Sequence, residues 1–172
     1  MGLKNRVWKE TMAMGRDMTV PCDEGLINIR VGAIILKNGR FLMVGSDRDD
    51  YLYSVGGRIQ FGETSEQAVV REVEEETGVR MEIDRLGFVS EVYFYGDAPG
   101  NLGKTIYEVS YYYYMKVPED FEPVSEDFID GESTEHLRWV SPDDEIRMFP
   151  QFFKTELRHP EQVVKYFLRD DR

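Results

Sequence analysis

Between Gly57 and Val79 the chain reads GRIQFGETSEQAVVREVEEETGV, and no other stretch limits its possible folds so strongly. Thr64 or Ser65 can cap a helix, because a short side-chain oxygen there accepts from the free amides of the first turn. Ala68, Val69 and Val73 give that helix an apolar side, and Gly78 suits the left-handed residue that ends it near Thr77. The pair Gly56-Gly57 just before it predicts a tight backbone feature, since glycine reaches conformations closed to residues with a Cβ.

A helix with one apolar face needs a sheet to cover it, and the flanking sequence supplies strands. Asn28 to Leu36 is rich in Ile and Val, Asn38-Gly39 is a two-residue hairpin signal, and Arg40 to Val44 reads as the return strand. Tyr51 to Val55 predicts a further strand. Met81 to Tyr95 and Thr105 to Val117 are β-rich runs joined by a loop from Gly96 to Gly103. Pro118 to Thr134, with seven acidic residues and no basic one, reads as an exposed loop. His136 to Val140 reads as a last strand, Pro142 to Ile146 as a helical turn, and Pro150 to Arg158 and Glu161 to Leu168 as short amphipathic helices. Residues 1–25 lack a clear period and read as an irregular arm or a strand at a dimer edge, which leaves a homodimer open. The expected class is α+β, an α/β/α sandwich with a mixed sheet between helices, built as one domain over residues 1–172.

The composition narrows the partners. Hydrophobic residues make up 41% and aromatic ones 13%, which suits a packed core and excludes a disordered chain. With 21 basic and 33 acidic residues the formal charge is −12, a surface that repels polyanions, so binding to nucleic-acid polymers is not expected. A small phosphate compound remains compatible if cations sit between it and the carboxylates. The apolar runs are too short to span a membrane, and no secretory signal core is visible. The lone Cys22 offers neither a disulfide nor a thiolate metal cage. These features fit a cytoplasmic protein that avoids membranes.

On the predicted helix Glu72, Glu75 and Glu76 fall at i, i+3 and i+4, so they leave one face together. An acidic helix face is ordinarily just solvated. Here, however, like charges at these spacings cost a few tenths of a kcal/mol per pair, and Arg71, four residues before Glu75, cannot balance the whole group. A hard divalent cation can, and Mg²⁺ or Mn²⁺ suits oxygen ligands better than Zn²⁺ does. Mg²⁺ held by a few carboxylates usually completes its shell with waters and substrate phosphates, which points to phosphoryl or pyrophosphoryl transfer.

The segment resembles the Nudix box, in which Gly, five residues, Glu, seven residues and Arg-Glu-apolar-any-Glu-Glu-any-Gly-apolar follow one another. Gly57, Glu63, Arg71, Glu72, Val73, Glu75, Glu76, Gly78 and Val79 meet every position of the pattern in residues 57–79. At ordinary residue frequencies such a match arises by chance on the order of once in ten million chains. Val55 stands where many members carry Pro before the two glycines.

The resemblance implies a metal-dependent hydrolase that cleaves the diphosphate linkage of a small nucleoside diphosphate derivative: a nucleotide sugar, a dinucleoside polyphosphate or a nucleoside triphosphate. A nucleotide-sensing regulator without turnover is the alternative. By the same resemblance Glu72, Glu75, Glu76 and the Gly57 carbonyl would bind Mg²⁺ or Mn²⁺, Arg71 would orient the glutamates, and Glu63 would support loop and helix. Arg58, directly after the glycines, is a candidate for substrate phosphate. The general base is sought among Glu132 and Glu135, ahead of the strand containing Trp139, with Glu75 as the alternative on the helix. Tyr111 to Tyr114 read as alternating core and surface groups, and His136 and His159 lack zinc-site spacing.

Overall fold

The computed structural model describes residues 15–47, 49–96, 100–123, 127–130 and 133–172. In chain order the elements are β1 (Thr19–Cys22), β2 (Gly25–Ile34), β3 (Leu36–Lys37), β4 (Arg40–Ser46), β5 (Leu52–Ser54), α1 (Ser65–Thr77), β6 (Glu82–Tyr95), β7 (Thr105–Lys116), β8 (Asp127–Asp130), β9 (Ser133–Val140), β10 (Met148–Phe149), α2 (Phe153–Glu156) and β11 (Lys165–Asp170). No helix among the described residues is long and apolar enough to cross a membrane.

The strands form two sheets. One has the order β1-β2-β7-β6-β11 and is mixed, because β2 with β7 and β6 with β11 run parallel while the other neighbours are antiparallel. The second has the order β10-β5-β4-β9-β8, with β3 on β4. Asn38 and Gly39 take positive φ values of 53° and 73°, the two-residue turn that pairs Leu36 with Phe41.

Period-2 alternation divides the core into two layers. Val31, Ala33, Leu42, Val44, Tyr113 and Leu137 face α1 and pack with Ala68, Val69 and Val73. Ile34, Phe41, Met43, Tyr112 and Tyr114 point the other way, onto Phe153 and Leu157 in and after α2. The chain is therefore an α+β protein with helical segments on both faces, and Tyr111 to Tyr114, expected to alternate between core and surface, alternate instead between the two core layers because each face of the sheet is covered.

α1 begins at a reciprocal cap. Thr64 accepts from the Gln67 amide while the Gln67 side chain accepts from the Thr64 amide, and Gly78 closes the helix in the left-handed region.

Four expectations need correction. Glu161 to Leu168 is not a helix: Lys165–Asp170 is a strand whose burial alternates residue by residue, with Phe167 packed inward and Tyr166 and Leu168 outward. Its aromatic and branched residues satisfy period 2, and the open edge of β6 offers backbone partners a surface helix could not use. Pro150 to Arg158 yields only the four-residue α2. Pro118 to Thr134 is not all exposed loop, since Phe121 is buried on Trp139 and Asp127–Asp130 pairs with β9. His136 to Val140 is not the last strand, because β10 and β11 follow. Of residues 1–25, Thr19–Cys22 is the edge strand β1; residues 1–14 lie outside the described residues.

Candidate active site

β5 delivers the chain to Gly56 and Gly57, and these glycines bring the loop against β2 and α1. Gly56 has φ 137°, and a Cβ there would lie 2.3 Å from the Val31 carbonyl oxygen. Val31 N–H donates to the Gly57 carbonyl at 2.9 Å, which leaves that oxygen one lone pair. A Cβ on Gly57 would meet Glu72 Oε1 at 2.5 Å, so the space a side chain would fill is occupied by the Glu72 carboxylate.

Arg71 is the hub. Its Nε and Nη2 donate to Glu63 at 3.1 and 2.6 Å, Nη1 donates to Glu72 at 2.8 Å and Glu75 at 3.0 Å, and Nη2 donates to the Arg58 carbonyl at 3.2 Å. All five N–H donors of the guanidinium are thereby used, which a lysine could not imitate. Burial works against its charge, yet the bonds to Glu63 and Glu72 outweigh it and hold its pKa above the ordinary arginine value. Glu63 also accepts from Gln60 N–H at 2.8 Å and so joins the loop to the helix. Burial pushes the Glu72 carboxyl above the usual carboxylate range, opposed by Arg71. Glu76 accepts from Gly56 N–H at 3.1 Å.

Among the described residues no three acidic, histidine or cysteine side chains already stand as a metal cage. The spacing led one to expect Glu72, Glu75 and Glu76 aimed at a shared point; instead Glu72 and Glu75 turn to Arg71, and Glu76 to the Gly56 amide. The donor set nonetheless fits a hard cation. It consists of carboxylate and carbonyl oxygens, with Glu72 half-buried against the bare Gly57 backbone and Glu75 58% exposed at its side chain.

The outlying candidates are placed differently. Arg58 pairs with Arg30 of β2 across an antiparallel bridge and has Asp17 4.0 Å from Nη1. Glu135 lies within β9, not on a loop; it is 4% exposed, and its Oε2 accepts from the Tyr53 hydroxyl. Glu132 lies outside the described residues. Sequence reasoning missed Tyr53 and Arg30. Each carries the alternation of its strand, but only the register shows what stands opposite.

The NUDIX domain family matches residues 27–162. No curated protein matches the chain by sequence. Solved structures share its fold at low identity. A UDP-X diphosphatase superposes with TM-score 0.57 at 14% identity, over 96% of this chain and 75% of its own. An ADP-ribose pyrophosphatase from Streptococcus suis gives 0.54 at 18%, over 81% and 98%. A MutT Nudix hydrolase from Burkholderia pseudomallei gives 0.54 at 24%, over 78% and 98%. The fold and the box thus define a Nudix domain. The chain belongs to the Nudix family.

Proposed function

We propose that the protein hydrolyses the diphosphate linkage of a small nucleoside diphosphate derivative with Mg²⁺ or Mn²⁺. The observation that carries this reading is the Arg71 hub, which gathers Glu63, Glu72 and Glu75 beside the bare backbone of Gly57. Glu72, Glu75, Glu76 and the free lone pair of the Gly57 carbonyl would hold the cation after Glu75 swings from Arg71. When bound, the cation neutralises the diphosphate and lowers the pKa of a ligated water. Arg71 stays with Glu63 and keeps Glu72 in place, while Arg58 binds a substrate phosphate. Water attacks one phosphorus, the bond from that phosphorus to the bridging oxygen breaks, and the second phosphate leaves with the bridging oxygen. The water's proton goes to a carboxylate. Glu135 is our first candidate, its Oε2 accepting from the Tyr53 hydroxyl; Glu132 and Glu75 are the others.

The test is a screen of nucleotide sugars, dinucleoside polyphosphates and nucleoside triphosphates on chelated protein, before and after Mg²⁺ or Mn²⁺ is restored, reading nucleotide and phosphate products. Turnover should appear only with the cation. Full activity in chelator would overturn the metal assignment, and binding without turnover would favour the nucleotide sensor.

A further inference from the structure

Beyond the box, a polar strip runs along the face of β2 and β7 that bears Asn28, Arg30, Glu108 and Ser110. These are neighbours in register, Asn28 with Glu108 and Arg30 with Ser110, and alternate residues of a strand share a face. Arg30 ties the strip to the box, since it pairs with Arg58 across an antiparallel bridge and its neighbour Val31 donates to the Gly57 carbonyl at 2.9 Å.

Among the described residues, two features of the strip are incompletely partnered. The Arg30 side chain makes no hydrogen bond among the described residues; its ion pair with Glu108 is long, Nε to Oε2 3.9 Å, and its bridge partner is another cation, Arg58. Like charges opposite one another destabilise a sheet, and an anion between them removes that cost. Asn28 is 4% exposed, and its Oδ1 is buried with no hydrogen-bond partner among the described residues. An orphaned buried acceptor destabilises the fold, a cost that a ligand donor would offset. Glu108, 19% exposed at its side chain, accepts a long 3.4 Å bond from Ser110 and lies 3.9 Å from Arg30 Nε, so among the described residues the strip is rich in acceptors.

Resting on the hydrolase reading above, we propose that Arg30, with Arg58, holds a substrate phosphate and that Asn28 and Glu108 accept hydrogen bonds from hydroxyls of the sugar attached to it. The two-residue step from Arg30 to Asn28 spans about 7 Å, the reach from a phosphate to the hydroxyls of its own sugar. Asn28 and Glu108 would thus read the sugar attached to the phosphate that Arg30 holds.

The experiment compares UDP-glucose, ADP-ribose, ATP and 2′,3′-dideoxy-ATP, whose sugar has no free hydroxyl, on wild type, Asn28→Leu, Asn28→Asp and Arg30→Gln, each checked by thermal melting. Wild type should process its best hydroxyl-bearing compound at least 10-fold better in kcat/KM than dideoxy-ATP. Asn28→Leu should shrink that gap below about threefold, and Asn28→Asp, which keeps acceptor oxygens, should retain it. Arg30→Gln should raise KM for every compound alike. Wild-type discrimination in Asn28→Leu overturns the sugar assignment while leaving the hydrolase intact. Unchanged KM in Arg30→Gln overturns the phosphate assignment. No turnover of any compound by wild type overturns the hydrolase reading and this one with it.

Discussion

One methyl group in place of a hydrogen separates alanine from Gly57, and the site depends on the difference. Gly57→Ala would place a methyl 2.5 Å from Glu72 Oε1, so that carboxylate must move. We expect Gly57→Ala to lower kcat by 10²-fold or more with a change in melting temperature of only a few degrees, measured by steady-state kinetics beside calorimetry. Retained turnover would show that the Glu72 position is immaterial. Glu135 poses a different question. If it accepts the water's proton, Glu135→Gln should lower kcat by about 10²-fold or more with KM little changed, whereas Glu132→Gln should leave kcat near wild type. The reverse result would move the base to Glu132, and two silent substitutions would send it to Glu75.

At the scale of elements, α1 carries most of the site and is secured by its ends. Thr64→Ala removes one half of the reciprocal cap and should cost about 1 kcal/mol, read as a melting temperature lower by roughly 2–4 °C. This helix was legible in the sequence because its signals are local: a capping residue, an apolar stripe, a closing glycine. The hairpin at Asn38-Gly39 and the long strands β6 and β7 were legible for the same reason. β11 was not, since Val163, Val164, Tyr166 and Leu168 suit either a helix face or an edge strand, and only the unpaired side of β6 decides between them. The box glutamates could be read directly, whereas their bonds to Arg71 and the Gly56 amide could not. Nor could the Arg30–Arg58 pairing, which comes from register between segments far apart in the chain.

For the whole molecule, the core carries a pH limit on its alkaline side. Burial pushes the Tyr112 hydroxyl up to about 12 from an ordinary 10, and Tyr107, hydrogen-bonded to Glu91, is raised to about 12 as well. Below pH 10 both folded and unfolded chains keep these protons, and the contribution is full. Between about pH 10 and pH 12 the unfolded chain ionises first, so stability falls, with Tyr112 alone responsible for roughly 2–3 kcal/mol. Denaturant midpoints measured across that range should decline, and less steeply in Tyr112→Phe; parallel slopes would contradict the assignment.

The parallel pairing of β11 with β6 bears on how the molecule is made. β7, on one side of β6, follows it within a short loop, but β11, on the other side, begins 70 residues after Tyr95. At a synthesis rate of roughly 5–20 residues per second, a nascent chain waits several seconds with that side of β6 unpaired. During this interval its amides and carbonyls can template another strand. The ribosome-bound intermediate is thus the stage at which this protein is most exposed to aggregation.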